Sequence, residues 1–247
     1  MRNIIFNGKK IILDSGYFFG RGVFETILIK NEPVFLQEHI ERLNRGIKVL
    51  GLGDEVSKDN ILKLINKYSI KNCVLKLAIS ERNLILEIRN NKYKPEDYLK
   101  GFSLKLSNIN RNSKSKLTYI KSLNYLENII EREEALKKGY DEVLFLNEKG
   151  FVTEGSISNI FLVKGNKIYT PKVESGLLPG VVRNYIINEF KVIEKEITLD
   201  ELFDADELFV TNSLLGIMGV SKLEDKIFTE NKITISIREK YELIIDD

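Results

Sequence analysis

The sequence predicts an α+β protein, and three observations carry that expectation. Apolar stripes at helical spacing and short β-prone runs both occur. They are mixed without a steady strand–helix–strand beat, and the second half is dense in hairpin signals.

The start reads as a hairpin, with residues 3–6 β-prone, a two-residue turn at Asn7-Gly8, and residues 10–13 returning. Residues 24–30 form another strand, turned at Asn31-Glu32 into 33–35. A helix follows, because Leu36, Ile40, Leu43, Ile47 and Leu50 share one stripe, and Gly51 and Gly53 stop it. Asp59 is expected to cap a second helix with Ile61, Leu62 and Ile65 inward; residues 73–80 and 84–89 then pair around Glu81-Arg82-Asn83. Residues 107–117 are polar and offer little to a core, which predicts a linker between an N-terminal domain, 1–106, and a C-terminal domain, 118–247. The second domain opens on a helix over 123–138, closed by Gly139. Strands over 142–146 and 151–153 turn at Glu148-Lys149-Gly150, and strands over 159–163 and 168–170 turn at Gly165-Asn166. A helix over 181–189 follows Pro179-Gly180. Strands over 207–211 and 217–220 precede a terminal helix carrying Ile233, Ile237, Tyr241 and Ile244.

Composition narrows the function. The 247 residues are 43% hydrophobic and 30% charged, and 38 basic against 36 acidic side chains leave a net charge of +2. The charges are interspersed, which argues against a nucleic-acid partner. Cys73 is the lone cysteine and His39 the lone histidine, so neither a disulfide nor a Cys/His metal site is expected. The first residues are too polar for a signal peptide, and no apolar run reaches the roughly 20 residues that cross a bilayer. No membrane association is expected, and the cytoplasm is the expected compartment. His39 reads as a partly buried structural residue. The sequence holds no G-x-S-x-G elbow and no Walker-type loop, and Gly20-Arg21-Gly22 is too short for a dinucleotide fingerprint. Lysine chemistry with an organic cofactor remains.

Four segments belong together: Phe18-Phe19-Gly20-Arg21-Gly22-Val23-Phe24-Glu25-Thr26-Ile27; Glu38-His39-Ile40-Glu41-Arg42-Leu43; Tyr119-Ile120-Lys121-Ser122-Leu123-Asn124-Tyr125-Leu126; and Val152-Thr153-Glu154-Gly155-Ser156-Ile157-Ser158-Asn159, with Leu178-Pro179-Gly180-Val181-Val182 behind it. In this order and spacing they resemble the fold type IV pyridoxal-phosphate enzymes, the class IV aminotransferase family that also holds aminodeoxychorismate lyase. The resemblance spans about residues 3–220. It implies a small α/β N-terminal domain and a larger, hairpin-rich, barrel-like C-terminal domain, with pyridoxal 5′-phosphate as the cofactor. It further implies a homodimer acting on a small amino-bearing carboxylate.

The resemblance also assigns roles. Lys121 matches the Schiff-base lysine and general acid–base. A free lysine, with a pKa near about 10.4, is a poor nucleophile until burial or neighbouring cations lower it. Glu154 matches the acid beside the pyridine nitrogen, which it keeps protonated so that the ring draws electrons. Phosphate needs a cation and helix-start amides. Arg42 matches the cation, although the helix wheel puts it off the apolar stripe and so predicts exposure. Val181 and Val182 match the amides, with Val182 standing where relatives often carry threonine. Thr211-Asn212-Ser213 is similar to the second phosphate loop, with Asn212 and Ser213 as ligands. Leu178 matches a residue packed on the ring, and Tyr125 one that reaches the ring's phenolic oxygen. Phe24 and Arg89 are candidates for the substrate.

The resemblance favours the lyase, which converts 4-amino-4-deoxychorismate to pyruvate and the folate precursor p-aminobenzoate. Phe24-Glu25-Thr26-Ile27, Lys121-Ser122-Leu123-Asn124 and Asn212-Ser213-Leu214-Leu215-Gly216 each resemble the lyase pattern more than the branched-chain one. Lys121-Ser122-Leu123-Asn124 and Val152-Thr153-Glu154-Gly155-Ser156 are equally close to D-amino-acid aminotransferase, whose R-x-H carboxylate trap is absent from residues 78–92. The alternative is therefore an aminotransferase of branched-chain or D-amino acids. A non-catalytic cofactor-binding module is the third reading, and intact Lys121, Glu154 and Arg42 argue against it.

Overall fold

A computed structural model describes residues 2–8 and 10–246. It divides into two compact units: one runs through Lys92 and adds Ile120–Tyr125, and the other holds Tyr93–Tyr119 and the chain from Leu126 on.

The first unit contains β1 (Asn3–Phe6), α1 (Ser15–Phe19), β2 (Gly22–Ile29), α2 (Leu36–Leu50), α3 (Lys58–Lys67), β3 (Cys73–Ser80) and β4 (Asn83–Arg89). The sheet order is β1-β4-β3-β2, antiparallel except that β1 runs parallel to β4. Alternation along β2 sends Val23, Glu25, Ile27 and Ile29 into one buried face. Val23, Ile27 and Ile29 pack in one core with Leu36, Ile40, Leu43 and Ile47 of α2. Two expectations are corrected. Among the described residues, β1 does not pair with residues 10–13: β1 pairs β4, and Asn83 holds Ile12 by its side chain, accepting its amide and donating to its carbonyl. Ser57, not Asp59, caps α3, its hydroxyl accepting from the Asn60 amide.

The second unit contains α4 (Pro95–Lys100), β5 (Phe102–Leu106), a 3-10 turn (Lys116–Tyr119), α5 (Leu126–Lys137), β6 (Glu142–Leu146), β7 (Val152–Gly155), β8 (Asn159–Lys164) and β9 (Lys167–Pro171). After these come α6 (Val181–Glu189), β10 (Val192–Lys195), α7 (Leu199–Phe203), β11 (Glu207–Asn212), β12 (Gly216–Leu223), β13 (Lys226–Ile227) and α8 (Lys232–Asp246). The strand order is β10-β9-β8-β11-β12-β5-β6-β7, and β7 returns to β8 through Glu154 and Asn159. That pairing closes β8, β11, β12, β5, β6 and β7 into a six-stranded barrel, which removes the open edges. The fold class is α+β, as the sequence predicts.

The boundary between units differs from the expected linker. Residues 107–117 lie inside the second unit, where the amides of Ser107 and Arg111 donate to Leu144 and Leu146, and Ser113 binds Glu148. Their polarity serves these hydrogen bonds. The expected helix start at residue 123 also moves, to Leu126, because residues 120–125 are committed to β2 in the first unit.

Candidate active site

In the first unit, the segment bearing Lys121 is laid against β2. Phe24 donates its amide to the Lys121 carbonyl at 2.9 Å, and Leu123 donates to Gly22 at 2.9 Å. Asn124 donates its side chain to the Gly20 carbonyl at 3.0 Å. Gly22 permits this approach, since a Cβ there would come within 2.5 Å of Leu123 and 2.7 Å of the Ile79 carbonyl. The Phe-Gly-Arg-Gly-Val-Phe stretch thus seats the lysine. The Lys121 Nζ stands 4.6 Å from the Phe24 ring centroid and 5.2 Å from that of Tyr125, and the two rings meet edge to face.

Behind Phe24, Glu25 takes a core position with no exposed surface. Its carboxylate accepts from Arg42 Nε and Nη2, each at 2.7 Å, and lies 2.7 Å from His39 Nδ1. Burial alone would raise the Glu25 pKa; the charge of Arg42 and then His39 overcome it and hold this carboxyl well below the usual carboxylate range. For His39, burial lowers the pKa, Glu25 opposes that, and the charges of Arg42 and Lys121 add to the lowering. The imidazole is therefore neutral near pH 7. Arg42 is only 8% exposed, so the wheel-based expectation of an exposed guanidinium is corrected: Glu25 supplies the buried countercharge that lets it turn inward.

Arg89 ends β4 in an exposed position and donates to the adjoining Asn90 carbonyl. Lys76, which motif reading passed over, places its Nζ 5.3 Å from the same Phe24 centroid. It was legible only as one lysine among many.

In the second unit, Glu154 is 8% exposed at the end of β7. Its Oε2 accepts the Leu178 amide at 3.0 Å and the Asn159 side chain at 3.4 Å, and Asn159 also donates to the Leu178 carbonyl at 2.9 Å. Leu178 is thereby fixed beside the acid, itself half-buried. Arg111, read from sequence as a linker residue, is 8% exposed and brings Nε to 3.9 Å from Glu154 Oε1. Its guanidinium lies 3.8 Å over the Phe145 ring, and its Nη1 donates to Glu127. Val181 and Val182 are buried in the first turn of α6, where amides have no intrahelical acceptor. Asn212 ends β11; its Oδ1 accepts the Leu214 and Leu215 amides, and its Nδ2 donates to the Ile157 carbonyl. Ser213 is half-buried in that turn, and Thr211 is buried below it.

The first unit offers a lysine amine between aromatic faces, and the second a buried, fixed carboxylate and free helix-start amides. These are the groups that pyridoxal phosphate requires for its aldehyde, pyridine nitrogen and phosphate. Among the described residues no group of three metal-ligating side chains occurs.

The chain belongs to the class IV aminotransferase family, whose model, amino-transferase class IV, matches residues 22–223. It is a pyridoxal-phosphate-dependent enzyme of that family. Aminodeoxychorismate lyase of Bacillus subtilis (strain 168) is 35% identical over 236 residues, covering 86% of this chain and 80% of that protein. D-alanine aminotransferase of Bacillus licheniformis is 29% identical, covering 90% and 88%. The crystal structure of a branched-chain aminotransferase from Thermoproteus uzoniensis with norvaline matches with a TM-score of 0.84 at 27% identity, covering 96% and 89%.

Proposed function

We propose that this chain is a lyase that converts 4-amino-4-deoxychorismate to p-aminobenzoate and pyruvate. The observation that carries the reading is the 35% identity to the Bacillus subtilis lyase, several points above the D-alanine aminotransferase. The lyase-like Phe24-Glu25-Thr26-Ile27 and Asn212-Ser213-Leu214 segments agree with it.

Bound pyridoxal phosphate would supply an electron sink for the carbon bearing the substrate amine. Lys121 would hold the cofactor aldehyde at rest, then, once displaced by the substrate amine, take the proton from that carbon and act as the general acid–base. The Phe24 and Tyr125 rings beside its Nζ would exclude water and orient the amine. Glu154 would hold a proton at the pyridine nitrogen, with Leu178 against the ring and Tyr125 toward its phenolic oxygen. Arg42, the amides of Val181 and Val182, and the Asn212–Ser213 turn would bind the phosphate. Lys76, over the Phe24 ring and on the same face of the sheet as Phe24, would take the substrate carboxylate in preference to the outlying Arg89.

Purified protein supplied with aminodeoxychorismate and no keto acid should release pyruvate, and Lys121→Ala should not. Keto-acid-dependent amino transfer without pyruvate release would favour the aminotransferase reading, which the 29% identity to D-alanine aminotransferase supports. A homodimer is proposed too: α1 leaves Tyr17, Phe18 and Phe19 63%, 60% and 78% exposed, an apolar cluster that a second copy would cover. Light scattering at the mass of one chain would count against it. No helix among the described residues is long and apolar enough to cross a membrane.

A further inference from the structure

Glu142 opens β6 with no exposed surface, and no cation pairs with it among the described residues. Five donors satisfy its carboxylate. Oε1 accepts the amides of Val143 and Ser156 at 2.9 and 3.1 Å and the Ser156 hydroxyl; Oε2 accepts the Ile157 amide at 3.2 Å and the Ser158 hydroxyl at 2.9 Å. Two successive amides converging on one carboxylate make an anion-binding nest, with the anion supplied by the protein itself.

This grip fixes the loop that follows Glu154. Residues 155–158 close on themselves through the Gly155 amide and the Ser158 carbonyl at 2.7 Å. A Cβ on Gly155 would come within 2.5 Å of Ser158 Oγ and 3.0 Å of Glu142 Oε2, so the Ser158 hydroxyl and the carboxylate it binds occupy the space of the missing side chain. With the Ser156 and Ile157 amides turned inward, their carbonyls are left for other partners: Ser156 accepts from Asn128 of α5 at 2.6 Å, and Ile157 accepts from Asn212 at 3.1 Å. The loop therefore joins the strand end bearing Glu154 to the turn bearing Asn212 and Ser213.

We propose that Glu142 is a positioning residue for the cofactor, gathering the 155–158 loop so that Glu154 and the Asn212 turn are set together. The inference rests on the roles proposed above for Glu154, Asn212 and Ser213. It assigns Glu142 no contact with cofactor or substrate.

Glu142→Gln keeps the shape but presents an amide NH2 to a set of donors. Losing one or two hydrogen bonds to the charged group should speed amide exchange of residues 155–158 and 212–215 at least about tenfold in cofactor-free protein, with α6 unchanged. The same variant should bind pyridoxal phosphate about tenfold more weakly and shift the visible band of the bound cofactor, while amide exchange in α6 stays at the wild-type rate. A general loss of packing would not separate in that way. Glu142→Asp, which retains the charge but withdraws it by one methylene, serves if the Gln variant does not fold, with the same outcomes expected. Wild-type exchange in these loops, or faster exchange with wild-type cofactor affinity, overturns the proposal. The exchange measurement needs no cofactor, so a wild-type chain that takes up no pyridoxal phosphate would sink the cofactor roles while the loop-ordering claim is still decided.

Discussion

Each unit buries one glutamate completely, and the two are compensated by opposite means. Glu25 in the first unit sits against a guanidinium and an imidazole. Glu142 in the second sits among amides and hydroxyls, and no cation pairs with it among the described residues. Burying a carboxylate costs several kcal/mol unless partners replace its lost water, and both solutions supply them. The consequences differ. A charged partner becomes a liability when the glutamate is removed, whereas amides and hydroxyls lose hydrogen bonds but strand no charge. A guanidinium also carries its own charge inward, as Arg42 does beside Glu25; dipoles shape a loop instead.

The largest test of the contrast is Glu25→Ala, which leaves Arg42 buried without its countercharge and should cost about 3–5 kcal/mol in urea unfolding. The double variant Glu25→Leu with Arg42→Met should recover much of that loss. A cost below about 1 kcal/mol for the single variant would remove the distinction between the two glutamates. Next, Gly155→Ala forces a methyl against Ser158 and the Glu142 carboxylate and should cost about 1–3 kcal/mol by overpacking.

A pH series sharpens the charged side. His39 binds a proton more weakly in the folded chain than at its ordinary value of 6.5. The unfolded chain therefore takes up more protons below that value, and stability falls as pH drops below 6.5, by at most about 1.4 kcal/mol per pH unit for one group. His39→Gln should flatten this slope between pH 6.5 and 5, whereas Glu142→Gln should leave it unchanged. The smallest effect on stability is expected at Lys76, which is exposed. Lys76→Met should change unfolding by less than about 0.5 kcal/mol, yet raise KM about tenfold at a similar kcat if it binds the substrate carboxylate.

Local chemistry was legible wherever a short segment carries its own signal. Residues 181–189 form α6 where Pro179-Gly180 announces a helix start, and the Gly165-Asn166 turn joins β8 to β9. The Lys121 and Glu154 segments carry the resemblance to the family whose model matches residues 22–223. Arg111 escaped because its segment is polar throughout, and only the docking of residues 107–111 on β6 turns it toward Glu154. Glu142 escaped because one acidic residue at a strand start carries no pattern. The range of β1 is as the sequence predicts, but its partner is not legible there, because a local turn signal says nothing about the distant strand that offers a better ladder.

The sequence by itself determined the α+β class and most of the helices and hairpins, since these depend on periodicity and turn chemistry within a few residues, and four short segments in order carried the resemblance that implies the cofactor class. Only the tertiary structure decided that Arg42 turns inward, that Arg111 stands beside Glu154, and that six strands close into a barrel. Each of those depends on partners 17 to more than 40 residues away, because the cost of burying a charge or leaving a strand edge open is met by whichever group the folded chain brings near.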